Sequence, residues 1–165
     1  MTALGVTGHQ SIPARALDHI VAGIRTAIAA QPGQVTGYSS LAVGADQLFA
    51  QEVLAAGGEL VAIIPSQGYE ETISPDQRTR YRDLLSRCTD HVTLDYPAPS
   101  EDAFMAAGEE VILRSDVLVA VWDGQPAAGR GGTADAVAHA RSLGKPVVVI
   151  WPAGVARRDP DPVED

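Results

Sequence analysis

Apolar residues fall into six short runs along the chain, at 3–7, 34–42, 59–64, 91–94, 116–124 and 145–151, and between the runs the apolar positions switch to helical spacing. Short runs rich in Val and Ile, bounded by turn residues, are the pattern of strands buried on both faces of a parallel sheet. The intervening helices each carry one apolar stripe. Leu17, Ile20, Val21, Ile24 and Ile28 form the first, which Gln31-Pro32-Gly33 ends. Leu48, Phe49, Val53 and Leu54 form the second, closed by Gly57-Gly58. Tyr81, Leu84, Leu85 and Cys88 form the third, after Ser74-Pro75, and Phe104, Gly108, Val111 and Ile112 the fourth, after Ser100-Glu101-Asp102. The last helix runs through 134–141. Strand and helix in alternation predict an α/β fold with one doubly wound, Rossmann-like parallel sheet and right-handed crossovers. The domain spans 1–152. From Ala153 onward there is no apolar periodicity, so 153–165 is expected to be a charged, loosely packed tail.

Three of the strand-to-helix turns are rich in glycine and small hydroxyl residues. The first is Gly8-His9-Gln10-Ser11, and His9 there either donates to a ligand or bonds a nearby carbonyl. The second, Ser39 to Asp46, includes Ser40 and Gly44; Asp46 is either a capping carboxylate or a partner for a ribose hydroxyl. The third runs from Asp123-Gly124 through Gly129-Arg130-Gly131-Gly132-Thr133 into a helix. Glycines there allow the backbone to approach a ligand, and free N–H groups at the helix start favour an anion. All three turns follow strands, so they share one edge of the sheet, where such folds bind ligands. The candidate ligand-binding residues are therefore Gly8, His9, Ser39, Ser40, Gly44, Asp46, Asp123, Gly124, Gly129, Arg130, Gly131, Gly132 and Thr133. Tyr69 either stacks on a base or covers the domain edge. Glu109, Glu110 and Arg114 read as a solvated face with an i,i+4 pair between the last two.

Composition narrows the function. A chain of 165 residues suits one domain that folds without staples, and the lone Cys88 excludes a disulfide framework or a cysteine metal cluster. No metal site and no cofactor are expected. The longest apolar runs are too short to cross a membrane and no leader pattern precedes the first strand, so a cytoplasmic protein is expected. A net charge of −9 repels a phosphate backbone and makes nucleic acid an unexpected partner, whereas helix N-termini still act locally on a small phosphorylated ligand. The fingerprints G-x-G-x-x-G after the first strand, G-x-x-x-x-G-K-[ST] and H-E-x-x-H do not occur. Ordinary dinucleotide oxidoreductases, P-loop NTPases and zinc peptidases are thereby disfavoured.

The combination of Gly5-Val-Thr-Gly-His9, Ser39-Ser-Leu-Ala-Val-Gly-Ala-Asp46 and Ser115-Asp-Val-Leu-Val-Ala-Val-Trp-Asp-Gly124 followed by Gly129-Arg-Gly-Gly-Thr133 resembles the SLOG superfamily over about residues 3–152. That group includes the LOG phosphoribohydrolases ("lysine decarboxylase-like" proteins) and DprA-like proteins, whose Ser-Gly-Leu-Ala-x-Gly-x-Asp loop the second motif is similar to. The Asp-Gly then Gly-Thr pattern is also similar to nucleoside deoxyribosyltransferases. The resemblance implies a nucleotide-binding Rossmann fold, and with helices of similar length on alternating strands it implies the strand order 3-2-1-4-5-6. It also implies a homodimer, paired through the small-residue face at Ala134 and Ala138. The chain departs from the LOG motif where the catalytic Glu belongs: aligning on Thr133 places Ala136 there. N-glycoside cleavage needs a carboxylate at its oxocarbenium-like transition state, and Ala136 supplies none. Asp135 lies about 100° round the helix from that position. Asp46, Asp123 and Glu109 are the other carboxylates that could substitute. The expected function is a sensor-like domain for a nucleotide or nucleotide derivative. The alternative is an N-glycoside hydrolase or nucleoside 5′-monophosphate phosphoribohydrolase using Asp135, Asp123 or Glu109.

Overall fold

The computed structural model describes residues 1–126 and 132–157. Strands β1 (Thr2–Gly8), β2 (Val35–Ser39), β3 (Glu59–Ile64), β4 (Asp90–Thr93), β5 (Val117–Val121) and β6 (Val147–Ile150) alternate with helices α1 (Leu17–Ala29), α2 (Ala45–Ala55), α3 (Arg78–Ser86), α4 (Glu101–Arg114) and α5 (Thr133–Ser142). Every strand pairing is parallel. The sheet is the doubly wound one that the apolar runs predict, with β1 central and the runs β3-β2-β1 and β5-β6 in the expected sequence. Its full order is β4-β3-β2-β1-β5-β6. The fourth strand thus lies outside β3 and not between β1 and β5. Its composition explains the place. Asp90, His91 and Thr93 are exposed, and an interior position would have buried them on both faces, as it buries Leu118 to Val121 of β5.

Helices cover both faces. Helices α1, α2 and α3 form one layer, in which Ile20, Ile24, Phe49 and Val53 pack on Leu4, Val6, Val119 and Val121. A second cluster under α2 and α3 takes in Leu60, Ile64, Tyr69, Tyr81 and Leu84. Helices α4 and α5 form the other layer, through Ala107 and Val111 against β3 and through Ile112, Leu118 and Ala140. Ser100 caps α4, its hydroxyl accepting the Ala103 amide at 3.0 Å. Cys88 packs at the edge of the second cluster, where burial pushes its thiol up to about 11 and so disfavours the thiolate. The winding reverses between β1 and β5, and a crevice opens there beyond the strand ends.

The C-terminal segment is more ordered at its start than its composition predicts. The Trp151 indole donates to the Val155 carbonyl at 2.7 Å, and Val155 packs against the first core cluster. Residues 153–157 are therefore held against the domain, because two apolar residues spaced four apart anchor an otherwise polar stretch.

Candidate ligand-binding site

Strand β1 leaves the sheet at Gly8, where an added Cβ would stand 2.4 Å from Ala45 Cβ and 2.8 Å from Val121 Cβ. The missing side chain lets the 8–11 turn sit against the start of α2. Gly44 completes that lock. Its φ is +97°, and a Cβ there would meet the Gln10 carbonyl oxygen at 2.4 Å and that of His9 at 2.6 Å. The Ala45 amide then donates to the His9 carbonyl at 3.1 Å. The space beside Gly8 and Gly44 is thus filled by protein; their task is to join two turns.

The 39–46 turn is bonded to itself. The buried Ser39 hydroxyl accepts the Leu41 amide at 3.0 Å and reaches the Asp46 carbonyl at 3.4 Å. The Gln47 amide group donates to the Leu41 carbonyl at 3.0 Å. Leu41 is held at φ +58°, the one positive φ outside glycine among the described residues, a strained geometry that its surroundings impose. Asp46, in the first turn of α2, accepts the Ala42 amide at 3.4 Å. Desolvation pushes its carboxyl up to about 6, although these backbone hydrogen bonds and the Ser39 hydroxyl favour the charged form.

His9 is buried at the end of β1. Its Nε2 accepts the Asp123 amide at 3.2 Å, which places the ring proton on Nδ1, and the Asp123 carboxylate comes within 3.3 Å of the same nitrogen. The Trp151 ring meets it edge-on at 5.4 Å. Burial holds the His9 pKa below its ordinary value, the Asp123 charge opposes this, and the Arg157 charge adds to it. A His held neutral contributes stability above pH 6.5 that is lost as pH falls through its folded value. The expected result is an imidazole titration midpoint below 6.5 in the folded protein by NMR; a midpoint at or above 6.5 contradicts the buried neutral ring.

These turns open on a cleft of about 830 Å³ at the carboxyl edge of the sheet. Gly8, His9, Ser40, Asp46, Gly132, Thr133, Asp135 and Glu109 line it, as do Ala134 and Ala136. Four described candidates do not line it. Ser39 is turned inward, Gly44 lies against the 8–11 turn, Gly124 is exposed outside the cleft, and Asp123 accepts the Gln125 amide at 3.0 Å besides its contact with His9. Gly129, Arg130 and Gly131 lie outside the described residues. Ala134 lines the cleft, and Ala138, one turn further along α5, is exposed. Tyr69 is buried with its ring edge-on to Tyr81 and Phe104, burial raises its hydroxyl well above the usual range, and it lines the cleft. Glu110 and Arg114 pair at 2.6 Å, as their spacing predicts.

Sequence reasoning missed several residues of the wall: Phe104 and Glu101 of α4, His139 of α5, and Arg157. Phe104, 41% exposed, had a signal, being an aromatic at the outer end of its helical stripe. Arg157 had none, because its place depends on the Trp151–Val155 turn. Among the described residues no group of His, Cys, Asp or Glu is arranged to hold a metal ion, and no helix is long and apolar enough to cross a membrane.

No protein-family model and no curated protein matches the sequence. Solved structures do match. DNA processing protein A (DprA) of Streptococcus pneumoniae superposes with a TM-score of 0.66 at 19% identity, over 90% of this chain and 50% of that one. DprA of Helicobacter pylori gives 0.64 at 18% identity, over 90% and 64%. The chain shares the fold of these DprA structures. The Moco carrier protein of Chlamydomonas rheinhardtii superposes with a TM-score of 0.53 at 18% identity, over 90% and 74%. The chain spans half the length of the pneumococcal DprA chain. One expectation is overturned. Net charge does not set nucleic acid aside for this fold, since the Helicobacter DprA structure describes a single-stranded DNA binding mode. The physical reason is range: charges on distant faces are screened within about 8–10 Å and do not set the potential of one groove.

Proposed function

We propose that the cleft binds a nucleotide or nucleotide derivative and that the domain acts as a sensor-like module for it. The observation that carries this reading is the convergence of the 8–11 turn, the 40–46 turn and the start of α5 on one cleft beyond the strand ends. At the start of α5 the first amides have no helical acceptor, and Thr133 sits there with a hydroxyl, so this end suits a phosphate. Apolar wall from Pro65, Ile73 and Phe104 suits a base. Hydrolysis is the weaker reading. The residue at the LOG Glu position, Ala136, packs against Ile112, Leu118 and Ala140, and Asp123 does not line the cleft and accepts the Gln125 amide.

Calorimetry with nucleosides, nucleotides and a short single-stranded DNA, followed by assay for free base, tests this. A nucleotide should bind more tightly than its nucleoside, with no base released. Thr133→Ala should weaken the nucleotide by about 1 kcal/mol, or several-fold, by removing one net hydrogen bond, and should leave the nucleoside almost unaffected. Base release that disappears in Asp135→Asn or Glu109→Gln would replace the sensor with a hydrolase. Equal affinity for nucleoside and nucleotide would remove the phosphate from the site.

A further inference from the structure

We infer that Arg157 is an anion-binding residue of this cleft, and that it leaves Asp123 for the phosphate or equivalent anion of a ligand seated beside Thr133. The inference rests on the reading of the cleft as a site for a phosphorylated ligand.

Position comes first. The chain after β6 turns back over the strand ends, pinned by the Trp151–Val155 hydrogen bond at 2.7 Å and by the edge-on contact of Trp151 with His9. Packing therefore delivers Arg157 to the cleft wall. Its present partner holds it loosely. Arg157 Nε stands 3.7 Å from Asp123 Oδ2, beyond hydrogen-bond range, and the Arg157 side chain is 32% exposed against 8% for Asp123. Among the described residues the guanidinium makes no hydrogen bond to Asp123, so its N–H donors can turn to a ligand. Asp123 keeps a donor without it, since the Gln125 amide donates to its Oδ1 at 3.0 Å. Charge supplies the reason for a swap. Among the described residues Arg157 is the one Lys or Arg on the wall, which also carries Asp46, Glu101, Glu109 and Asp135. An anion entering there meets carboxylates unless Arg157 turns to it, and a guanidinium is the side chain best matched to a phosphate.

The swap has a second effect. The charged groups facing His9 are Asp123, from the turn after β5, and Arg157, from the C-terminal segment; Trp151 is uncharged. Removing the cation and bringing an anion nearer both favour the protonated ring. Binding should therefore take up a proton at His9.

Pyrophosphate, titrated at constant ionic strength into the ¹⁵N-labelled full chain and followed by NMR, tests this without a nucleotide. The expected result is saturable movement of the Arg157 Nε–H signal and a His9 midpoint that rises with saturation. Arg157→Gln should weaken binding about tenfold, as loss of a charge-assisted contact does, and Arg157→Lys should recover part of it. Melting temperature and the amide spectrum of each variant establish that it is folded; should Arg157→Gln not fold, the Arg157 Nε–H signal in the parent decides alone. Pyrophosphate that does not bind, an Arg157 signal unmoved at saturation, or Arg157→Gln binding like the parent overturns the inference. If pyrophosphate behaves as expected but no nucleotide binds, the nucleotide reading falls and the role of Arg157 stands.

Discussion

Gly44→Ala is expected to lower stability by about 3 kcal/mol or more, equivalent to a melting temperature lower by about 6–12 °C for a chain of this size. Two costs combine at this residue. Its φ of +97° with ψ of −130° is a conformation that L side chains avoid at a cost of order 1–3 kcal/mol. The new methyl would also stand 2.4 Å from one backbone carbonyl oxygen and 2.6 Å from another, and backbone cannot swing aside as a flexible side chain can. Relief requires the 8–11 turn to move away from α2, which breaks the Ala45 to His9 hydrogen bond and displaces His9 and Asp46 together. Gly124→Ala is the control, since Gly124 has φ +84° but open space around it; about 1 kcal/mol is expected there. Urea unfolding at unchanged m-value makes the comparison. A Gly44→Ala midpoint matching that of Gly124→Ala would show that the turns yield easily and that the carbonyl contacts carry no weight.

Asp46→Asn is expected to stabilise the protein at neutral pH. Desolvation raises the Asp46 carboxyl from 3.8 to about 6, so the folded state holds its proton more tightly than the unfolded chain. The sign follows: the contribution to stability is full below pH 3.8, falls as pH rises to about 6, and stays lost above it. A shift of that size corresponds to at most about 3 kcal/mol, and the residue's remaining exposure to the cleft reduces the expected gain to about 1–2 kcal/mol. Asn keeps an oxygen to accept the Ala42 amide and removes the charge. The gap between variant and parent should open between pH 4 and 6 and be complete at pH 7. A gap that does not change with pH would mean that Asp46 is well solvated.

The apolar runs and stripes specified the layers. Leu4, Val6 and the 117–121 run have no polar side to offer solvent, so they could only become interior strands. The helical stripe through Ile20, Ile24 and Ile28 could only lie on the sheet that those strands form. Strand pairing carried less information in the chain. The strand-order expectation put the polar 90–93 strand next to β1, although its exposed Asp90, His91 and Thr93 already pointed to an edge. That signal was present and outweighed by the regular alternation of elements.

For the cleft, the sequence by itself determined which turns meet, because every parallel strand delivers its following turn to the same edge of the sheet. Gly8, Ser40, Asp46 and Thr133 reach one wall for that reason alone. Only the tertiary structure decided what each residue does there. Glycines that read as room for a ligand at Gly8 and Gly44 are occupied by neighbouring backbone and side chains, and the Ser39 hydroxyl is spent within its own turn. Asp123 is turned to His9, and Arg157 arrives from a segment that reads as tail. Periodicity reports which face of an element is buried, whereas the partner of a polar group depends on distances of about 3 Å between elements far apart in the chain.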